Sequence, residues 1–450
     1  MSWIEDESSS RDRRVRSNPT PTFCACWRRE KTMTEQSLAP SWAMQDGFER
    51  TTALQSAIGR EAHRAIFTAL FPPAAPTTGP LNGCVVSVKA LFDVAGHVTH
   101  AGSARRLSNP PAVEDAAAVS TLRGAGASLI GHTNMTELAY SGLGLNPHFG
   151  TPETPVVAGA IAGGSSSGAA ASVARGYADI GLASDTGGSA RIPAAFCGLV
   201  GWKPTASRID RRGTVPLSFT LDGVGLIGRS VTDVAAAFSV LSPSSGGRVV
   251  RPTLLVPEGF GLDELDPQVA ASFETGLRRL RNAGWTIGSF DRAPMTAYAN
   301  LAIWQFAAVE SRALHPNDWK EAHRLDPHVR RRMQRADEVA AAEYAATLAA
   351  RQQFVGSMVA ALSGDILLLP TVAILPPLIE DCSEAEAFDT LNRVTLRNTS
   401  LANVMDGCSI SLPVAGHPGT GLMLTAGHGQ DDMLLAAARE IEAILTHQDE

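Results

Sequence analysis

Three side chains in this sequence, set in two glycine-rich segments and at one strand end, have the types needed to break an amide bond. Ser189 lies in Asp185-Thr186-Gly187-Gly188-Ser189-Ala190-Arg191-Ile192-Pro193, and Ser165 lies 24 positions earlier in Gly163-Gly164-Ser165-Ser166-Ser167-Gly168. Lys89 ends the strand-like run Cys84-Val85-Val86-Ser87-Val88. Amide cleavage without a metal or a histidine needs a nucleophilic hydroxyl, a base to take its proton, and donors for the oxyanion. Ser189, Lys89 and the backbone of Thr186, Gly187, Gly188 and Ser189 are candidates for these three tasks.

Two glycines before Ser189 let the backbone take positive φ and aim N–H groups at one point, as an oxyanion hole requires. One such donor is worth about 3 kcal/mol in the transition state. Pro193 suits the first turn of a following helix, where its missing N–H costs nothing. Lys89 can serve as a base only if it is neutral, and burial is what lowers a lysine pKa that far. Ser165 between Lys89 and Ser189 would then relay the proton. The plainer alternatives are a ligand-free glycine turn and a lysine that snorkels to water from its strand end.

Two other motifs compete for the same residues. Gly164-Ser165-Ser166-Ser167-Gly168 matches G-x-S-x-G, which would make Ser166 the nucleophile of an α/β-hydrolase elbow. An elbow follows directly on a buried strand, whereas Val156 to Ala162 is broken by glycine and alanine, and no later Asp and His stand out as partners. The loop also lacks the Gly-Lys-Ser/Thr ending of a Walker phosphate loop.

The elements around these residues alternate. Cys84 to Val88 reads as a strand; Asp115 is expected to cap a helix through Ala116 to Arg123; Ala127 to Ile130 is the next strand. Ser167 to Arg175 is a small-residue helix, and Asp179 to Ala183 a short strand leading into the Ser189 loop. Strands separated by single helices predict an α/β fold: one large domain with a mixed, mostly parallel central sheet and helices on both faces. Chemistry in such sheets collects at the carboxyl ends of strands, where Lys89 and Ser189 both fall. Beyond Arg229 come a helix from Ser230 to Leu241, a strand from Thr253 to Val256, an amphipathic helix from Asp266 to Asn282 and a long helical region from Thr296 to Ala361. Strands at Ile366–Leu369, Ser409–Leu412 and Gly421–Leu424 precede a closing helix from Asp431 to Leu445. With no linker and no repeat, residues 33–450 read as one domain.

Composition narrows the function class. The 450 residues are 44% hydrophobic and 18% charged with a net charge of −7, which gives no electrostatic footprint for nucleic acid or an anionic membrane. No apolar run reaches the roughly 18 residues of a bilayer span, and no signal-peptide core opens the chain, so a cytoplasmic location is expected. Residues 1–32, with acidic, serine and arginine clusters, cannot bury an apolar face and are expected to be disordered, with Met33 a candidate start. The six cysteines, Cys24, Cys26, Cys84, Cys197, Cys382 and Cys408, are scattered; Cys24 and Cys26 are too close together for paired zinc ligands. No metal and no cofactor are expected.

Taken together, the residues from Gly83 to Arg229 resemble the amidase signature family, most densely over Ile161 to Thr205, and more weakly near Asp365–Thr371 and Gly407–Pro413. The resemblance implies a Ser-cisSer-Lys triad with Ser189 as nucleophile, Ser165 as the cis serine and Lys89 as base. It also implies Thr186, Gly187 and Gly188 as the oxyanion loop, Ser166 as a residue assisting the relay, Asp185 and Arg191 as an ion pair bracing that loop, and Asn134 as a brace for a pocket loop. Ala90 replaces a commonly acidic residue after the base, and His132 a common lysine. The implied activity is hydrolysis of a small carboxamide through an acyl-enzyme. The alternatives are a glutamine-hydrolysing A-type subunit of an aminoacyl-tRNA amidotransferase and a non-catalytic binding relative. The expected partner is a small-molecule amide, with no nucleic acid or membrane, and a homodimer is left open. Specificity is expected from Tyr140 to Thr154 and from the region of Trp304 and Phe306, two aromatics that more often belong to a core.

Overall fold

The computed structural model describes residues 40–42, 46–61, 64–73, 78–243 and 251–446. The expectations for residues 1–32, for Cys24 and Cys26, and for Met33 lie outside the described residues.

One sheet of 11 strands runs through the molecule. In chain order these are β1 (Phe67–Leu70), β2 (Val85–Lys89), β3 (Ser128–Thr133), β4 (Ile180–Asp185), β5 (Val200–Lys203), β6 (Gly223–Gly228), β7 (Leu254–Pro257), β8 (Ile287–Phe290), β9 (Ile366–Pro370), β10 (Cys408–Leu412) and β11 (Leu422–Ala426). Their spatial order is β1-β3-β2-β4-β6-β5-β10-β11-β9-β7-β8. The single α/β domain with a mixed sheet is as expected, but the sheet is not mostly parallel: among the described strands four pairs run parallel and six antiparallel. Parallel pairing is concentrated in two blocks, β3-β2-β4 and β9-β7-β8, and the strands between them pair antiparallel. The helices explain this: the parallel neighbours β2, β3 and β4 are linked by α2 (Ala117–Gly124) and α3 (Ser167–Ala174), whereas β5 follows β4 through only the short α4 (Arg191–Phe196) and β6 returns beside β4 through a loop.

Side-chain alternation along the strands puts helices on both faces. Val86, Val88, Ile180, Leu182 and Leu226 pack into one core with α2, α5 (Val231–Leu241), α6 (Pro267–Asn282) and the closing helix (Asp431–Thr446). Val85, Ala183 and Ile227 pack into a second core with α1 (Gly47–Arg60), α3 and α4. Lys89 has the parity of Val85 and Ser87, and the Ser87 hydroxyl lies 2.8 Å from Ser172 of α3. Lys89 therefore projects toward the α3 side. That helix, Ser-Gly-Ala-Ala-Ala-Ser-Val-Ala, sinks onto the strands because it carries almost no side-chain bulk; a Cβ on Gly168 would lie 2.4 Å from the Ile66 carbonyl oxygen and 2.6 Å from Asn134 N.

The expected helical region comprises α7 (Arg292–Ala299), α8 (Trp304–Leu314), α9 (Pro316–Lys320), α10 (Pro327–Gln334) and α11 (Ala341–Leu362). Phe306, Phe354 and Met358 form an apolar cluster there with Leu369 and Met423, so Phe306 belongs to a core rather than a pocket. The capping expected of Asp115 is not formed. Ser230 and Asp266 cap their helices, accepting from Asp233 N and Gln268 N. Asp115 does not: α2 begins at Ala117, and the Asp115 carboxylate instead accepts from Ala95 N at 2.8 Å and pairs with Arg123 at 2.8 Å. No helix among the described residues is long and apolar enough to cross a membrane.

Candidate active site

Strand β2 delivers Lys89 to the site with no exposed surface. Its Nζ donates to Ser165 Oγ at 2.7 Å and to Ser184 Oγ at 2.8 Å. Burial pushes its pKa down to about 7, while the negative charges of Asp185 and Asp222 act in the opposite direction. A lysine in this setting exchanges its proton near neutral pH, and hydroxyls rather than carboxylates take its hydrogen bonds.

Ser165 is held from both sides. The Gly164–Ser165 peptide bond is cis. Gly164 N donates to the Gly142 carbonyl at 2.8 Å, and Thr136 N donates to the Ser165 carbonyl at 3.1 Å. These contacts need bare backbone, since a Cβ on Gly164 would lie 2.4 Å from Gly144 N. Ser166 N in turn donates to the Ser189 carbonyl at 3.3 Å, which ties the two glycine-rich segments together. The Ser166 hydroxyl donates to the Ser184 carbonyl at 3.4 Å, and no hydrogen bond joins it to a histidine among the described residues. An elbow nucleophile is expected to be bonded to its base, and Ser166 is bonded to a carbonyl instead.

The Ser189 loop is shaped by one buried ion pair. Asp185, at the end of β4, accepts from Arg191 Nη2 at 2.8 Å and Arg191 Nε at 3.0 Å, and neither side chain is exposed. The same carboxylate accepts from Gly188 N at 2.9 Å, Ala190 N at 3.1 Å and Asn403 Nδ2 at 3.0 Å. Burial alone would raise its pKa, but the Arg191 guanidinium beside it holds it well below the usual carboxylate range. The bracing pair read from the sequence is thus in contact. The expected set of oxyanion donors changes, because Gly188 turns its N–H back to Asp185. The flanking Gly187 and Ser189 N–H groups have no acceptor among the described residues. Gly188 has φ +129°, and a Cβ there would lie 2.1 Å from Thr399 Oγ1. Thr399 donates to the Gly187 carbonyl at 2.6 Å and Ser400 to the same oxygen at 3.2 Å, which fixes the loop from the C-terminal half of the chain.

Ser189 is 4% exposed, whereas Lys89 and Ser165 have no exposed surface. No hydrogen bond joins its Oγ to Ser165 Oγ, so the last link of the expected relay is open in this structure. Thr186 points its hydroxyl to Asp222 Oδ1 at 2.6 Å. Burial raises the Asp222 pKa, opposed by the Thr186 hydrogen bond and by Ser218 N and Leu217 N. A cavity beside this pair is lined by Ser184, Thr186, Leu217, Asp222, Ala139 and Arg211, among others.

Sequence reasoning missed Ser184, Asp222, Asn403 and Thr399. Ser184 had a signal, since it precedes Asp185 on the same strand; the others lie far along the chain from their partners and have none. Asn134 does brace a loop, donating to the Gly150 carbonyl at 2.8 Å and the Ala65 carbonyl at 2.9 Å. His132 is a buried, neutral ring, its pKa lowered to about 3 chiefly by burial. Near the segment expected to govern specificity, the Arg332 guanidinium lies 4.6 Å over the Tyr140 ring, and Arg335 lies 3.7 Å over Trp304.

A family model described as Amidase matches residues 50–435. The chain is 35% identical over 388 residues to the 2-amino-5-chloromuconic acid deaminase of Comamonas testosteroni, covering 82% of each. It is 33% identical over 390 residues to the indoleacetamide hydrolase of Pseudomonas savastanoi, covering 81% of this chain and 84% of that one. A solved structure described as a crystal structure of amidase superposes with a TM-score of 0.74 at 30% identity, covering 89% of this chain and 100% of the other.

Proposed function

The chain belongs to the amidase signature family, and from that premise we propose that it hydrolyses a small carboxamide through an acyl-enzyme on Ser189. Two of the proteins it resembles, described as an indoleacetamide hydrolase and an amidase, carry names that support amide hydrolysis. The observation that carries the assignment is the buried Lys89 Nζ 2.7 Å from Ser165 Oγ, with Ser189 on the adjoining loop.

In this reading Ser189 Oγ attacks the amide carbonyl carbon, and its proton passes through Ser165 to neutral Lys89. The developing oxyanion is met by the Gly187 and Ser189 N–H groups. The tetrahedral intermediate collapses as Lys89, through Ser165, returns the proton to the leaving nitrogen, and the C–N bond breaks. Water then attacks the ester carbonyl, giving a proton to the same route, and Ser189 is regenerated. The open Ser165–Ser189 link closes when substrate packs against the loop, as catalytic hydrogen bonds commonly shorten in the complex. Ser166 supports the relay by joining its backbone to the Ser189 carbonyl.

The test is a panel of aliphatic, aryl and carboxylate-bearing amides followed by amine or ammonia release. Turnover of a simple amide that disappears in Ser189→Ala supports the reading. Turnover that survives this substitution contradicts it. Glutamine turnover that needs a co-purifying subunit would favour the amidotransferase-type alternative instead.

A further inference from the structure

A dense buried hydrogen-bond cluster outside the site centres on Glu310 of α8, a carboxylate remote in sequence from both serine loops. Glu310 has no exposed surface. One of its oxygens accepts from the Ser218 hydroxyl and, at 3.1 Å, from Thr220 N. The other accepts from Thr220 Oγ1 at 2.5 Å and from the Tyr344 hydroxyl of α11. All these donors but Tyr344 belong to a single turn, residues 217–222, that leads into β6. The turn is internally tied: Leu217 N and Ser218 N donate to Asp222 Oδ2 at 2.8 and 3.0 Å, and Leu221 N donates to Ser218 Oγ at 3.0 Å. Its other carboxylate oxygen, Asp222 Oδ1, receives the Thr186 hydroxyl at the head of the Ser189 loop.

A carboxylate that takes four donors from one turn and a neighbouring helix does more than satisfy its own charge. Leu217 and Leu221 seat the turn in two apolar cores while Phe219 stays 53% exposed. Between these anchors the positions of Ser218, Thr220 and Asp222 are set by what their N–H, O–H and carboxylate groups bind. The turn also supplies Leu217 and Asp222 to the wall of the cavity that Ser184, the second partner of Lys89, lines as well.

We propose that Glu310 is a positioning residue for acyl transfer, holding the 217–222 turn so that Asp222 can fix Thr186 and, through it, the oxyanion loop. The inference rests on the acyl-enzyme reading and extends it to a residue outside the signature segments. It implies a loss in kcat rather than in KM, because a misaligned oxyanion loop is felt where charge develops and not where the substrate docks.

The test compares Glu310→Ala with Glu310→Gln, whose amide oxygen can still accept from Ser218 and Thr220. Both are measured for kcat, KM and the rate of fluorophosphonate labelling at Ser189, using whichever amide the wild type turns over. Glu310→Ala is expected to lose about tenfold or more in kcat and in labelling rate, as a displaced reacting group does. KM should stay within about twofold, and Glu310→Gln should recover most of the loss. Unchanged kcat and labelling in Glu310→Ala, or equal losses in the two variants, overturns the proposal. If Glu310→Ala does not yield folded protein, Thr220→Val decides: a kcat reduced about threefold or more at constant KM supports it, and an unchanged kcat overturns it. Failure of the wild type to label at Ser189 would instead refute the acyl-enzyme reading itself, so the two failures are distinguishable.

Discussion

Lys89 Nζ and Ser165 Oγ lie 2.7 Å apart in a place from which the lysine has no contact with solvent. A charged ammonium there has lost its hydration and gained only hydroxyl partners, with Asp185 and Asp222 as the acidic groups that partly restore it.

The pH dependence follows from that balance. Lys89 acts as a base only when neutral, and with its pKa brought down to about 7 the acid limb of kcat/KM should fall near neutrality and level off above it. Removing a negative charge makes the ammonium harder to keep, so Asp222→Asn should move this limb to lower pH. Asp185 is the other negative neighbour, and the cations Arg191 and Lys203 stand behind it. A pH–rate profile of wild type and Asp222→Asn checks the direction; a limb that moves up contradicts it.

Replacing Gly188 should be severe. A Cβ at this position meets Thr399 Oγ1 at 2.1 Å and Thr399 Cβ at 2.5 Å, and φ +129° is unfavourable for any side chain. Gly188→Ala is expected to lower kcat by about 100-fold or more, since the adjacent donors move with the loop. Adding Thr399→Ala removes the Oγ1 contact but leaves the residue 399 Cβ at 2.5 Å and the backbone demand, so the double variant should recover only part of the loss. Full recovery would show that the conformation itself is unimportant.

The Asp185–Arg191 pair is expected to matter for stability as well as for catalysis. Arg191→Met leaves a fully buried carboxylate without its cation, a change that typically costs about 3–5 kcal/mol. Urea denaturation should show the midpoint falling. Arg191→Lys should rescue little, because an ammonium cannot match the two contacts of the guanidinium with Asp185 while also reaching Asn403 Oδ1 at 2.8 Å.

Much of the architecture was legible because it is local. The apolar alternation that ends at Lys89 and the glycines around Ser165 and Ser189 state their backbone requirements in the sequence itself. The bracing contact between Asp185 and Arg191 spans only a loop and was legible for the same reason. Asn403, Thr399 and Glu310 were not, since each reaches its partner across a large stretch of chain, and neither the helices that hold Asn403 and Glu310 nor the turn that holds Thr399 has a pattern that speaks of a loop elsewhere. The turn-back of Gly188 N–H to Asp185 was also hidden, because spacing shows which donors a loop contains but not where each one points. Asp115 illustrates the converse error: a good capping residue can be drawn away when a nearby guanidinium and a free N–H compete for it.

The most direct measurement is the site of covalent modification by a fluorophosphonate, read by peptide mass spectrometry in wild type and in Lys89→Met. The account predicts an adduct on Ser189 in the wild type, formed much more slowly in Lys89→Met. An adduct on Ser166, or labelling of Ser189 at an unchanged rate without Lys89, would contradict it.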